Sequence, residues 1–133
     1  MKFASVRMPT SDVPRLVRFY EELTGAKAQW ANDEFAEVVL PGATIAISSR
    51  RLTDAFAAGS VEPAANRTMM IEILVDDVDA ERDRVAKLAG DLVQEPTTLP
   101  WGNRSLLLRD PDDNVVNLFT PVTPAAVAKF GAR

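Results

Sequence analysis

The sequence predicts an α+β fold in which one βαβββ unit is used twice, and three observations carry that reading. First, the stretch "SVRMPTSDVPRLVRFYEELTG" at 5–25 maps onto "MIEILVDDVDAERDRVAKLAG" at 70–90 with a shift of 65 positions and no gap. Asp12 falls on Asp77, Val13 on Val78, Leu23 on Leu88 and Gly25 on Gly90. Second, each copy opens with alternating apolar residues and then changes to helical spacing, the two periods that distinguish strand from helix. Third, the helix punctuation recurs in the same order, an aspartate before each helix and a glycine after it.

In the first copy Ala4, Val6 and Met8 alternate with Phe3, Ser5 and Arg7, which predicts a strand with the even-numbered residues on its more apolar face. In the second copy Met69, Ile71, Ile73 and Val75 take that role against Thr68, Met70, Glu72 and Leu74. Asp12 and Asp77 stand where a side-chain oxygen can accept from the unpaired amides of a first helical turn. Pro14 suits that turn because its missing N–H is not needed there. Leu16, Phe19, Tyr20 and Leu23 form a stripe at i, i+3, i+4, i+7, and Val78, Val85 and Leu88 a thinner one.

Extended segments follow each helix: "AKAQW", "EFAEVVL" and "TIAISS" in the first copy, "LVQEPT", "RSLLLRD" and "NVVNLFT" in the second. The last two pairs are joined by turns at Pro41-Gly42 and at Pro111-Asp112-Asp113, where Asp113 occupies a position that favours positive φ. Between the copies, "RRLTDAFAAGSVEPAANR" predicts a short helix at 52–58 and then a linker. The units therefore span 1–49 and 68–121, with a linker at 50–67 and a tail at 122–133 that predicts a last helical turn.

Composition removes several chemistries. The chain of 133 residues contains no cysteine and no histidine. Thiolate chemistry, disulfides and Ser-His-Asp or Cys-His catalysis are thereby excluded within it. Any metal would need oxygen ligands, which suits Mg²⁺ or Ca²⁺ better than zinc or iron. A net charge of −4 argues against nucleic acid or an anionic membrane as partner. The opening "MKFASVRMPT" has no long apolar core, and no apolar run approaches a bilayer span. A cytoplasmic protein is the expectation.

Paired βαβββ units with "SDVPRLVRFYEELTG", "VDDVDAERDRVAKLAG" and "PWGNRSLLLRDPDDNVVNLF" resemble the vicinal-oxygen-chelate superfamily, which includes glyoxalase I, bleomycin-resistance proteins and extradiol dioxygenases. The resemblance covers nearly the whole chain. It implies a single glyoxalase/bleomycin-resistance-like domain over 1–133, in which the two units curl into an incomplete β-barrel around a cleft, and a homodimer. It also implies metal-ligand positions in the first and last strands of each unit. Carried onto this chain, these are Ser5, Ala46, Met70 and Asn117, where metal-dependent members have His or Glu. Hard cations want several charged oxygens, so these residue types predict no metal and no other cofactor. Metal-dependent glyoxalase or dioxygenase activity is then not expected.

The cleft-facing set expected from alternation is Phe3, Ser5, Arg7, Ala46, Ser48, Met70, Glu72, Leu74, Asn117 and Phe119, apolar walls with a few polar anchors. Arg7 and Glu72 occupy equivalent positions and read either as a charged pair that orients a ligand or as a sheet salt bridge. Asn117 reads as a ligand hydrogen-bonding group or as a structurally satisfied amide. Trp101, on a Pro- and Gly-flanked loop, can stack on a flat ligand or plug the core. Trp30 reads as its counterpart or as a dimer contact. Asp110 and Asp112 read as turn-shaping residues.

The ligand-binding candidates are therefore Ser5, Arg7, Ala46, Met70, Glu72, Trp101, Asn117 and Phe119, with no catalytic residue assigned. Two functions follow, beside a third reading as a regulatory or partner-binding module with a vestigial cleft. One is a metal-free protein that binds a small, possibly antibiotic-like molecule without turnover. The other is a superfamily lyase, isomerase or dioxygenase with an oxygen-only site or acid–base chemistry by Glu72, Glu37 or Tyr20.

Overall fold

The structure, a computed structural model, describes residues 1–131. Its elements run β1 (Val6–Thr10), α1 (Val13–Thr24), β2 (Gln29–Asn32), β3 (Phe35–Leu40), β4 (Ala43–Ser49), α2 (Arg50–Ala57), β5 (Met70–Leu74), α3 (Val78–Ala89), β6 (Gln94–Thr98), β7 (Asn103–Arg109), β8 (Val115–Pro121) and α4 (Pro124–Phe130). The order β-α-β-β-β thus occurs twice, as the repeat predicts. Each copy forms its own open four-stranded sheet, β1-β4-β3-β2 and β5-β8-β7-β6. The chain divides into two compact units, Met1–Asn66 with Pro111–Asp113, and Arg67–Asp110 with the chain from Asn114 onward.

In the first unit β1 pairs parallel to β4, while β3 joins β4 and β2 antiparallel. Helix α1 starts at Asp12, whose carboxylate accepts from the Arg15 amide at 3.1 Å. It stops at Gly25, in a left-handed conformation at φ 76°. Its predicted stripe is the core: Leu16 and Tyr20 have no exposed surface, and Phe19 and Leu23 are buried. Ile45 and Ile47 of β4 and Ala36 and Val38 of β3 are buried with them. Burying a large aliphatic or aromatic side chain contributes roughly 1.5–3 kcal/mol, so this stripe is the main reason the helix stays on the sheet.

The second unit repeats the plan. β5 pairs parallel to β8, and β7 joins β8 and β6 antiparallel. Asp77 caps α3 by accepting from the amides of Asp79 and Ala80. Thr120 of β8 ties the start of α3 to the sheet, accepting from the Val78 amide at 2.9 Å and donating to the Val75 carbonyl at 3.0 Å. Val78, Val85, Leu106, Leu108, Val116 and Leu118 form the core here. Pro96 sits on the edge strand β6 where the register with β7 shifts, a place that tolerates a missing donor.

Several expectations change in detail. Alternation predicts a strand from Phe3, but β1 begins at Val6, whose partner is Ile45, near the start of β4. Val6 keeps 38% exposure although it shares the helix-facing row with Met8, because β1 is an edge strand. Helix α2 covers Arg50–Ala57, starting two residues before the expected 52–58, because Ser49 accepts from the Leu52 amide and so caps it earlier. Leu88 is only half-buried. The tail forms α4, capped by Thr123, and the last two residues of the predicted tail lie outside the described residues.

Asp113 does take positive φ, at 64°. The turn it belongs to is held by Asp110, which is buried and accepts from the Asn114 amide at 2.9 Å and from the Asn114 side chain at 2.8 Å.

Candidate functional site

Each sheet has one face covered by its own helix and one face turned away from it. Strand alternation assigns the residues of the second face. In the first unit the register places Arg7, Ala46 and Glu37 in one row across β1, β4 and β3, with Pro9, Ser48 and Phe35 in the next. Ala46 and Ser48 are buried, and the Ser48 hydroxyl has no hydrogen-bond partner. Arg7 is exposed and makes no ion pair among the described residues. Ser5 precedes β1 and is half-buried.

In the second unit the corresponding row is Glu72, Asn117, Leu107 and Gln94 across β5, β8, β7 and β6. Leu74, Phe119 and Ser105 form the row beside it. Asn117 is 6% exposed, and its Nδ2 donates to Glu72 Oε2 at 2.8 Å. Neither reading of Glu72 as the partner of Arg7 is needed to explain its position, since its carboxylate is engaged within its own sheet. Asn117 Oδ1 and Ser105 Oγ are buried and unpaired. Met70, 48% exposed, lies opposite Val115 and diagonal to Asn117 on the same face.

Phe119 is buried beneath α4, its ring meeting Phe130 edge-on at 5.1 Å. The helix is seated there by Gly102, whose carbonyl accepts from the amides of Val122 and Thr123. A Cβ at Gly102 would stand 2.1 Å from Thr123 Oγ1, so only glycine fits at this approach. Trp101, 68% exposed, is thus held beside the start of α4. It lies two residues before β7 begins, and Leu107, the partner of Asn117, is six residues further along the chain, about 20 Å away at strand spacing. The backbone therefore groups Glu72, Asn117 and Phe119 but leaves Trp101 apart from them.

Three residues of this face, Ser105, Leu107 and Gln94, are absent from the sequence candidates. Alternation in "RSLLLRD" places Ser105, Leu107 and Arg109 on one side, but only the β7–β8 register identifies that side as Asn117's. Tyr20 drops out as an acid–base candidate. It is fully buried in the helix-covered core, edge-on to Phe19. Glu37, half-buried and across from Ala46, remains on the open face.

The resolved carboxyl perturbations lie at surface ion pairs elsewhere. Hydrogen bonds from Arg51, Arg104 and Arg82 hold Glu34, Asp79 and Glu95 below the usual carboxylate range.

The sequence profile of the Glyoxalase/Bleomycin resistance protein/Dioxygenase superfamily matches residues 2–118. The chain belongs to this superfamily. It is 25% identical over 125 residues to the uncharacterized protein YraH of Bacillus subtilis, covering 90% of this chain and 98% of that one. Its fold is similar to that of a glyoxalase/bleomycin resistance protein/dioxygenase family enzyme from Burkholderia phytofirmans PsJN, with a TM-score of 0.78 at 18% identity over 90% of this chain and 98% of that one. It is similar also to a glyoxalase/bleomycin resistance protein/dioxygenase from Nocardioides, with a TM-score of 0.77 at 19% identity over 93% and 85% of the two chains. Two unclosed sheets with interleaved helices are the architecture it shares with them.

The residues at the superfamily's metal positions do not fit a divalent ion. Ala46 offers no donor atom and Met70 only a thioether, a poor ligand for the hard cations that oxygen sites hold. Asn117 turns its N–H toward Glu72 and keeps a single neutral oxygen. Among the described residues no group of three or more acidic, histidine or cysteine side chains is arranged to hold a metal. No helix among them is long and apolar enough to cross a membrane.

Proposed function

We propose that this superfamily member is a metal-free small-molecule-binding protein, its ligands including antibiotic-like compounds, that uses the sheet faces turned away from α1 and α3 as its binding surface and works as a homodimer. The observation that supports this most directly is the Asn117–Glu72 hydrogen bond. A neutral amide, oriented by a carboxylate, occupies the last-strand position. The other ligand positions on these faces carry a methyl, a thioether and a hydroxyl. Apolar walls with a few oriented polar groups recognise small organic molecules, whereas Lewis-acid chemistry needs a charged donor set.

The test begins with elemental analysis of chelator-treated protein before and after incubation with Mg²⁺, Mn²⁺, Fe²⁺, Co²⁺, Ni²⁺ and Zn²⁺. The expected result is no retained stoichiometric metal. A compound library is then screened by the fluorescence of Trp30 and Trp101, which are both exposed enough to report binding. Stoichiometric binding with the compound recovered unchanged supports the proposal. About one metal per site, or a compound recovered as product, overturns it in favour of an enzyme, with Glu72 and Glu37 as the acid–base groups to substitute first.

A further inference from the structure

The polarity of the ligand is written into the orientation of one amide. An amide side chain can be turned either way about its last bond, and its neighbours decide which way it points. Here the neighbour is Glu72, whose ionised carboxylate only accepts. The nitrogen of Asn117 must therefore face Glu72, at 2.8 Å, and Oδ1 must occupy the other branch. That oxygen is buried without a partner, and so is the hydroxyl oxygen of Ser105, a residue with no exposed surface. The register makes the two residues diagonal neighbours on β8 and β7, on the same face, about 7–8 Å apart and with their Cβ atoms somewhat closer. Gln94 does not relieve them, because its Nε2 donates to the Ser105 backbone carbonyl at 3.4 Å.

Buried acceptors are ordinarily paired, and an unpaired one is a standing cost that a suitable donor removes. We infer that the ligand of this face presents N–H donors, as an amidinium, ammonium or amide group, to Asn117 Oδ1, Ser105 Oγ and the Glu72 carboxylate. This deepens the binding reading above and rests on it. At Asn117 Oδ1 a ligand ending in a carboxylate or bare carbonyl would set acceptor against acceptor, and it would meet the charge of Glu72; the Ser105 hydroxyl can donate or accept and serves either ligand. A donor-ended ligand gains a charge-assisted bond to Glu72 and pairs the orphaned oxygens. Glu72 is exposed and marks the side from which the ligand enters. Asn117 Oδ1 is closed off in the unliganded chain, so entry includes a local shift of the side chains that cover it.

Benzamidinium and benzoate are matched probes, with the same ring, a planar head group of the same shape and opposite hydrogen-bonding polarity. The full chain is titrated with each, reading the side-chain amide of Asn117 and the backbone amides of β7 and β8 by ¹H–¹⁵N NMR. Benzamidinium is expected to shift these signals saturably, and benzoate to leave them unchanged at tenfold higher concentration. In Glu72→Gln the amide is free to turn and the charge is gone. Benzamidinium binding there is expected to weaken at least tenfold and the preference over benzoate to shrink, in a protein whose spectrum shows it folded. Ser105→Ala is expected to weaken benzamidinium binding severalfold.

Equal binding of the two probes, a preference for benzoate, or benzamidinium binding untouched by Glu72→Gln overturns the inference. An ordered water bonded to both oxygens that neither probe displaces overturns it too. If neither probe binds but other library compounds shift the same signals, the donor inference fails and the binding reading stands. If nothing in the library binds, both fail.

Discussion

Replacing Asn117 by aspartate changes one NH₂ to an oxygen and tests the central contact directly. The wild-type amide donates to Glu72 at 2.8 Å, so the variant sets two carboxylates against each other at that spacing. The lost bond was to a charged acceptor, worth about 1.5–3 kcal/mol. Two unit charges 4 Å apart repel by about 1 kcal/mol in water and about 4 at an effective dielectric constant of 20. Because Glu72 is exposed, a value near the lower end, about 1–2 kcal/mol, is appropriate. The sum is about 2.5–5 kcal/mol at pH 8, a large part of the stability of an ordinary domain.

The sign of the pH dependence follows from coupling. Two adjacent carboxyls share a proton, which raises the pair's folded-state pKa above the unfolded value. Stability is then kept below the unfolded pKa and lost as pH rises through the raised one. Urea denaturation of Asn117→Asp and wild type at pH 4.5 and pH 8 measures this, with the larger deficit expected at pH 8. A variant as stable as wild type at pH 8, or a deficit independent of pH, would refute the assignment of Asn117 and Glu72 as a directly bonded pair.

Other perturbations address the frame around the site. Gly102→Ala forces a Cβ to 2.1 Å from Thr123 Oγ1 at a φ of +96°, and a loss of about 2–4 kcal/mol is expected, with hydrogen exchange at 124–130 accelerated more than in β8. Phe130→Ala removes the edge-on contact with Phe119; about 1–2 kcal/mol is expected for a half-buried ring, read by urea melts, together with faster exchange in α4. Glu34, Asp79 and Glu95 have depressed pKa values, so the stability from their arginine pairs is present above the ordinary carboxylate range of about 4 and disappears as pH falls through the lower folded values. Asp79→Asn is expected to flatten that acid limb in thermal melts between pH 5 and pH 2.

Much of this molecule is legible in short windows of its sequence because the interactions concerned are short-range. The caps at Asp12 and Asp77 bond to amides two or three residues away. The stripe on α1 depends on helical spacing alone, and the positive φ of Asp113 on a five-residue turn. The repeat of these signals sets the order βαβββ twice, and the absence of histidine and cysteine limits the chemistry before any fold is considered.

Tertiary structure decided the rows. A period of two tells which residues of a strand share a face, but not which residue of the next strand stands opposite. Glu72 meets Asn117 because β5 and β8 pair in one register across a separation of 45 positions, and a shift of one residue would turn the amide into the helix-packed core. The same pairing carried onward by β7 and β6 brings Ser105 and Gln94 to Asn117's face and leaves Trp101 in the loop before β7 begins. Register is settled by the burial of both sheets' apolar faces at once, a long-range sum that no single window of sequence contains, and the orientation of the Asn117 amide follows from it.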